Sequence, residues 1–277
     1  MKKKTIKNEA IFSGCGLQTG IKVQVTCKPA EADTGIVFRR IDLKNAPAVS
    51  INDAIFSRSY GRRSTISQGK VEVQTIEHFL AALWALEIDD ITVEINGPEL
   101  PALDGSAIGF IENIKLAGIF EQSVERDLIV IQEEEAVKSS DASLTIYPAK
   151  EFSISYSIDY KIESIERETF EFKPALNSFE KEIAPARTFC LKKEAELLLK
   201  LGFGKGANYK NTLVMDKNGP VGTSLRFKNE PVRHKVLDLV GDLYMLGRPI
   251  RGKIMAERSG HRINAKMTKL LYDKYVK

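Results

Sequence analysis

The sequence predicts an α+β protein built as two domains. Stretches with strand-like alternation are followed by stretches with helical periodicity, and the same scheme then runs a second time. The 277 residues suffice for two cores of ordinary size. The restart lies near residues 122–126, which gives an N-terminal α+β domain over 1–124 and a C-terminal one over 125–277.

Runs at 21–27, 35–40 and 91–95 alternate or are β-branched, and read as strands. At 75–86 the pattern changes to TIEHFLAALWAL, a helical stretch that opens with Thr75 as its expected N-cap. The segment NGPELPALDGS is rich in turn formers, and 107–117 reads as a second helix. The second cycle has strands at 127–131, 143–147 and 152–159, helices at 192–201 and 230–246, and a helical tail from Asn264.

Composition narrows the function. Hydrophobic residues make up 43% and charged residues 28%, the balance of a soluble globular protein. The net charge is +4. Basic residues gather at Lys2, Lys3 and Lys4 and at Arg58, Arg62 and Arg63, but no long basic block interleaved with aromatics is present. That points away from nucleic acid. The N-terminal lysines lead into IKNEAIFSGCG, which is no apolar signal core, and no run of 18 apolar residues exists. A cytoplasmic protein with at most peripheral membrane contact is expected. The cysteines Cys15, Cys27 and Cys190 are odd in number and form no CxxC pair, which argues for reduced thiols and against a thiolate zinc site.

The segment EPVRHKVLDLVGDLYMLG carries His234, Asp238 and Asp242, each four residues after the last. A step of four advances about 40° around a helix, so the three side chains fall within one arc of about 80°. Val236, Leu237, Val240, Leu243 and Tyr244 draw an apolar stripe on another side. The other two histidines also sit among charged residues. His78 follows Glu77, and His261 lies in the stretch Arg258 to Asn264.

A catalytic zinc site takes three protein ligands and leaves a position for water. His and Asp four apart on a helix can share an ion, as the two histidines of an HExxH motif do. His234 and Asp238 fit, His78 is the best third ligand, and Glu77 beside it can take a proton from water. Asp242 is better placed to hold another histidine. The spacing alone also fits a solvated acidic face, with Asp238 and Asp242 paired to Lys or Arg.

Taken together, GCGLQTG at 14–20, TIEHFLAAL at 75–83, NGPELPALDGSA at 96–107, ARTF at 186–189, VRHKVLDLVGDL at 232–243 and SGHRIN at 259–264 resemble the bacterial UDP-3-O-acyl-N-acetylglucosamine deacetylase family, zinc amidases of lipid A synthesis. The resemblance runs from about Thr5 to the last helix. It implies two similar domains, each a sheet with two helices, packed so that the helices are sandwiched in the middle. It implies a bound Zn2+, with Fe2+ as the alternative, held by His78, His234 and Asp238. Glu77 matches the general base, and His261 an imidazolium that stabilises the oxyanion and protonates the leaving amine. Asp242 matches the residue that orients it. Lys235 and Thr188 match groups beside the substrate carbonyl. A βαβ insert near 186–216 would form an apolar passage for the acyl chain. Leu17, Leu191, Ala195, Leu198, Phe203 and Thr212 are expected to line it, and ordinary helix packing would also account for the leucines. Phe189 and Tyr160 match aromatic contacts to the substrate, Tyr160 against uracil, and Lys235 and Arg258 could meet the diphosphate. The expected partner is therefore a UDP-sugar lipid, bound by a monomer.

Two positions depart from the family pattern. Gln18 stands where many relatives have a histidine, and Cys190 where a glycine usually follows Arg-Thr-Phe; neither is a catalytic position. A catalytically silent binder of the same lipid, or a hydrolase of another acylated amide, are the alternative functions. The presence of every catalytic residue weighs against the first.

Overall fold

The computed structural model describes residues 1–51, 55–56, 62–162, 164–175 and 178–277, with backbone alone at 55 and 56. Arg58 of the basic cluster lies outside the described residues. The fold is mixed α+β, and the described residues form six α-helices: α1 (Glu77–Leu86), α2 (Ile108–Ala117), α3 (Ser178–Glu182), α4 (Lys192–Lys200), α5 (Glu230–Tyr244) and α6 (His261–Leu271).

Two 5-stranded sheets dominate. The first runs in space Ala10–Cys15, Lys22–Pro29, Ile91–Ile95, Ile36–Arg40, Ala48–Ser50. The second runs Glu135–Lys138, Ser143–Tyr147, Lys253–Glu257, Ser153–Ile158, Glu168–Phe172. In both, the strand last in sequence is inserted between the second and third, antiparallel to one and parallel to the other. The restart read from the sequence is therefore a repeated topology. In each half one helix precedes the inserted strand and one follows it: α1 and α2 around Ile91–Ile95, α5 and α6 around Lys253–Glu257.

These helices form the middle layer. α1 packs on α5, α2 on α1 and α6 on α5. The strand Ile36–Arg40 alternates buried and half-buried residues because one face lies on the helices. Phe110 meets Phe12 and Phe79 edge-on at ring separations of 5.3 and 5.6 Å. Trp84, at the end of α1, lies 5.2 Å from Phe152 and 5.3 Å from Phe179, so the first half packs directly on the second. The α1–α5 crossing is close because Gly241 offers no side chain; a Cβ there would stand 1.9 Å from the Glu77 carbonyl oxygen.

Thr75 does not cap α1. It lies in the left-handed region at φ 55°, its hydroxyl donates to Glu99 Oε1 at 2.7 Å, and α1 begins at Glu77. Glu99 is fully buried and also accepts from the backbone N–H groups of Gln18 and Thr19 and from the Thr19 hydroxyl. A buried carboxylate needs donors, and that need outweighs a local cap.

The strand Phe189–Leu191, α4 and the strand Leu213–Asp216 form a βαβ unit with parallel pairing, and Gly219–Val221 adds an antiparallel strand. Its loop is pinned to the first half, where Lys205 and Gly206 N–H donate to the carbonyls of Gln18 and Leu17. Among the described residues, no helix is long and apolar enough to cross a membrane.

Candidate metal centre and active site

The close α1–α5 crossing brings Glu77 and His78, on the first turn of α1, against His234 and Asp238 on α5. All four are buried. One ligand atom from each of His78, His234 and Asp238 lies within 4.8 Å of the others. Asp238 Oδ1 is 3.2 Å from His234 Nε2 and 3.5 Å from His78 Nε2.

Hydrogen bonding fixes what these atoms offer. His234 Nδ1 is 3.0 Å from the Ala186 carbonyl oxygen. A carbonyl only accepts, so Nδ1 carries a proton there, and Nε2 is the ring nitrogen turned toward Asp238. Burial lowers the pKa of His78, which favours its neutral ring. Asp238 Oδ1 is buried with no hydrogen-bond partner among the described residues. Two ring nitrogens and an unpartnered carboxylate oxygen thus converge on one point, which a divalent cation would satisfy. Burial opposes the Asp238 charge, but His234 and Lys235 hold its carboxyl well below the usual range. Lys235 donates to the other oxygen, Oδ2, at 2.7 Å. The residues fit a metal ion.

His261 faces the same point from α6. Its Nδ1 donates to Asp242 Oδ2 at 2.9 Å, and its Nε2 lies 3.8 Å from Asp238 Oδ2 and 4.0 Å from Glu77 Oε1. Burial works against a charged imidazole, but the Asp242 carboxylate overrides it and raises the pKa to about 9. Burial pushes Glu77 up to about 8; His261 pulls against this shift, and Asp242 and Asp238 add to it.

A cavity of about 570 Å³ opens onto the centre, with Glu77, His78, His234, Lys235, Asp238 and His261 in its wall. Thr188, Phe189 and Tyr160 line it further out, and Phe189 and Tyr160 meet edge-on at 5.4 Å. An apolar arm under the insert is formed by Leu17, Ala195, Leu198 and Thr212. Asp242 stands behind His261. Leu191, Phe203 and Arg258 are not among the described lining residues. Leu191 packs against the core, Phe203 is exposed, and the Arg258 guanidinium lies 3.3 Å from Asp141.

Sequence reasoning passed over several groups that touch the site. Ser64 N–H donates to Glu77 Oε2 at 3.0 Å, and its hydroxyl donates to Asp242 Oδ1, so one residue holds both carboxylates. Asn264 donates to Asp242 Oδ2 at 2.8 Å; its place in SGHRIN was the available signal. Nothing around Ser64 in sequence marks it. Arg62 and Glu194 form an ion pair at 2.6 Å and both line the cavity.

Comparison with known proteins agrees with this arrangement. Residues 3–273 match the family model LpxC, UDP-3-O-acyl N-acetylglycosamine deacetylase. A UDP-3-O-acyl-N-acetylglucosamine deacetylase of Citrifermentans bemidjiense is 40% identical over 273 residues, covering 97% of this chain and 88% of that one. Proteins of the same name from Thermodesulfovibrio yellowstonii and a Nostoc species are 39% and 37% identical, covering 94% and 96% of this chain and 88% and 97% of theirs. With the match spanning nearly the whole sequence and the buried histidine–aspartate centre in place, the chain belongs to the UDP-3-O-acyl N-acetylglycosamine deacetylase family.

Proposed function

We propose that this protein is a cytoplasmic, zinc-dependent hydrolase that removes the 2-N-acetyl group of UDP-3-O-acyl-N-acetylglucosamine, giving UDP-3-O-acyl-glucosamine and acetate for lipid A synthesis. The observation that carries the reading is the convergence of His78, His234 and Asp238 at a cavity wall flanked by Glu77 and His261. Bound by these three residues, Zn2+, or Fe2+ in its place, supplies a Lewis acid and a water of lowered pKa.

The chain's own residues do the rest. Glu77 takes a proton from the attacking water, and Ser64 N–H holds its far oxygen in position. As the acetyl carbonyl becomes tetrahedral, charge develops on its oxygen. From the cavity wall the Thr188 hydroxyl supplies a hydrogen-bond donor there and the His261 imidazolium a positive charge. The His261 Nε2 proton then passes to the departing glucosamine nitrogen, and the Asp242 carboxylate keeps Nδ1 protonated and the ring in one orientation. Lys235 neutralises Asp238 and offers its remaining donors to the cavity. Tyr160 and Phe189 present ring faces and edges to the sugar nucleotide, and the Leu17–Leu198 arm takes the acyl chain.

The test is deacetylation of UDP-3-O-acyl-N-acetylglucosamine by purified protein, with metal content measured alongside. Acetate release that is abolished by chelation and restored by Zn2+ or Fe2+ is expected. A stoichiometric metal without turnover on any acyl length would refute the reaction while leaving the centre intact.

A further inference from the structure

The insert carries an outward face that the acyl cavity does not use. No residue of α4 is buried. Along α4 and the turn after it, Leu197, Leu199, Leu201 and Phe203 are 57%, 60%, 62% and 41% exposed. Leu197 and Leu201 share one side of the helix with Phe203 just beyond it, and exposed apolar side chains gathered this way mark a contact surface. Leu197 and Leu201 lie one turn apart, and Lys193 and Lys200 flank them on the same side. Lys192, Lys205 and Lys210 are exposed nearby, while the acid Glu194 is turned to Arg62. Glu196 is the exposed acid among them, so the face is apolar side chains bordered by five ammonium groups against one free carboxylate among the described residues.

Its position links it to the site. Leu199 is exposed and also lines the cavity, as does Tyr209, which is 51% exposed. The same short helix thus carries exposed apolar side chains at the cavity mouth on one side and on its outward face on the other. A protein partner would need only apolar complementarity. The surrounding lysines add a charge complement to an anionic surface, and flexible Leu, Phe and Lys side chains around a short amphipathic helix suit the boundary between headgroups and chains.

We propose that the Leu197–Leu201–Phe203 face of the insert docks on the anionic surface of a phospholipid bilayer, placing the cavity mouth against it. An acylated substrate then enters, and its product leaves, without exposing the chain to water. This goes beyond the deacetylase reading, because docking is measured with no substrate present.

The experiment is cosedimentation of the full chain with vesicles of phosphatidylcholine alone and of phosphatidylcholine mixed with phosphatidylglycerol. Tighter binding to the anionic vesicles, weakened by salt, is expected. Leu197→Glu/Leu201→Glu should lower the partition coefficient at least about tenfold while leaving hydrolysis of monomeric substrate unchanged. Lys193→Ser/Lys200→Ser should lower it and reduce the salt dependence. Phe203→Trp reads the same contact independently, through a blue shift and quenching by brominated lipid chains, measured as the difference from the parent protein and its own Trp84. Absence of binding to anionic vesicles, binding indifferent to both double variants, or no added shift or quenching in vesicle-bound Phe203→Trp protein would overturn the proposal. So would self-association that depends on Leu197 and Leu201 in a chain that ignores vesicles.

Discussion

His261 Nδ1 and Asp242 Oδ2 stand 2.9 Å apart, a buried imidazole donating to a buried carboxylate, with Ser64 and Asn264 also donating to that carboxylate. The pair decides when His261 carries charge. Burial lowers its pKa, and Asp242, with Asp238 and Glu77 adding to it, raises it to about 9.

The sign of the pH dependence follows. In the proposed mechanism His261 acts as an acid only while protonated, so kcat/KM is expected to fall as pH rises through its pKa. Asp242→Asn removes the anion, the pKa drops, and the basic limb moves to lower pH. Glu77→Gln should lower kcat by about 10²–10⁴-fold and abolish the acid limb. A basic limb that stays put in Asp242→Asn would show that another group sets it.

Removal of the metal should abolish turnover and lower Tm, because the folded state loses a bound ligand and Asp238 Oδ1 is left buried without a partner among the described residues. Asp238→Asn keeps the shape and loses the charge, and should weaken metal affinity by at least about a hundredfold. Metal titration with a fluorescent competitor measures it, and unchanged affinity would rule out Asp238 as a ligand.

Gly241 sets the helix crossing that assembles the centre. Gly241→Ala must push α5 away from the Glu77 carbonyl, at a cost of about 1–3 kcal/mol in stability. Displacing His234 and Asp238 relative to Glu77 should cut kcat/KM by about a hundredfold. Urea denaturation and steady-state kinetics test the two separately; a variant with parental stability and activity would mean that the crossing tolerates a methyl group.

Arg187 and Glu230 form a buried ion pair, with Arg187 Nε and N–H both donating to Glu230 Oε1 at 2.9 Å. It ties the loop bearing Thr188 to the first turn of α5. Glu230→Ala strands the guanidinium and should cost about 3–5 kcal/mol. The midpoint of urea unfolding measures this, and a change within error would show that water or another acid takes over.

Much of the chemistry was legible along the chain, because helical spacing is a local rule. HxxxD on one helix and Glu-His at the start of another are what the structure brings to one cavity wall, and the second Asp of HxxxDxxxD stands behind His261. The Thr75 cap failed for a tertiary reason, since a buried Glu99 claimed its hydroxyl. The strand Lys2–Ile6 was invisible because lysines are poor strand formers; pairing with Ile119–Glu125, whose Glu125 lies 2.9 Å from Lys2, overrides that preference. Phe203 read as a cavity residue because it is apolar in an apolar insert, and the turn after α4 points it outward instead.

The sequence by itself determined the α+β pattern, the repeated order of elements, and the residue types and faces able to bind a metal, since these depend on periodicity and chemistry within single segments. Only the tertiary structure decided which faces meet. The α1–α5 crossing at Gly241, the Ser64 link between Glu77 and Asp242, and the seating of the insert loop on Leu17 and Gln18 join residues distant in sequence. Such contacts arise from burial, steric fit and the need to satisfy buried polar groups, all of which act between segments and leave no periodic trace within any one of them.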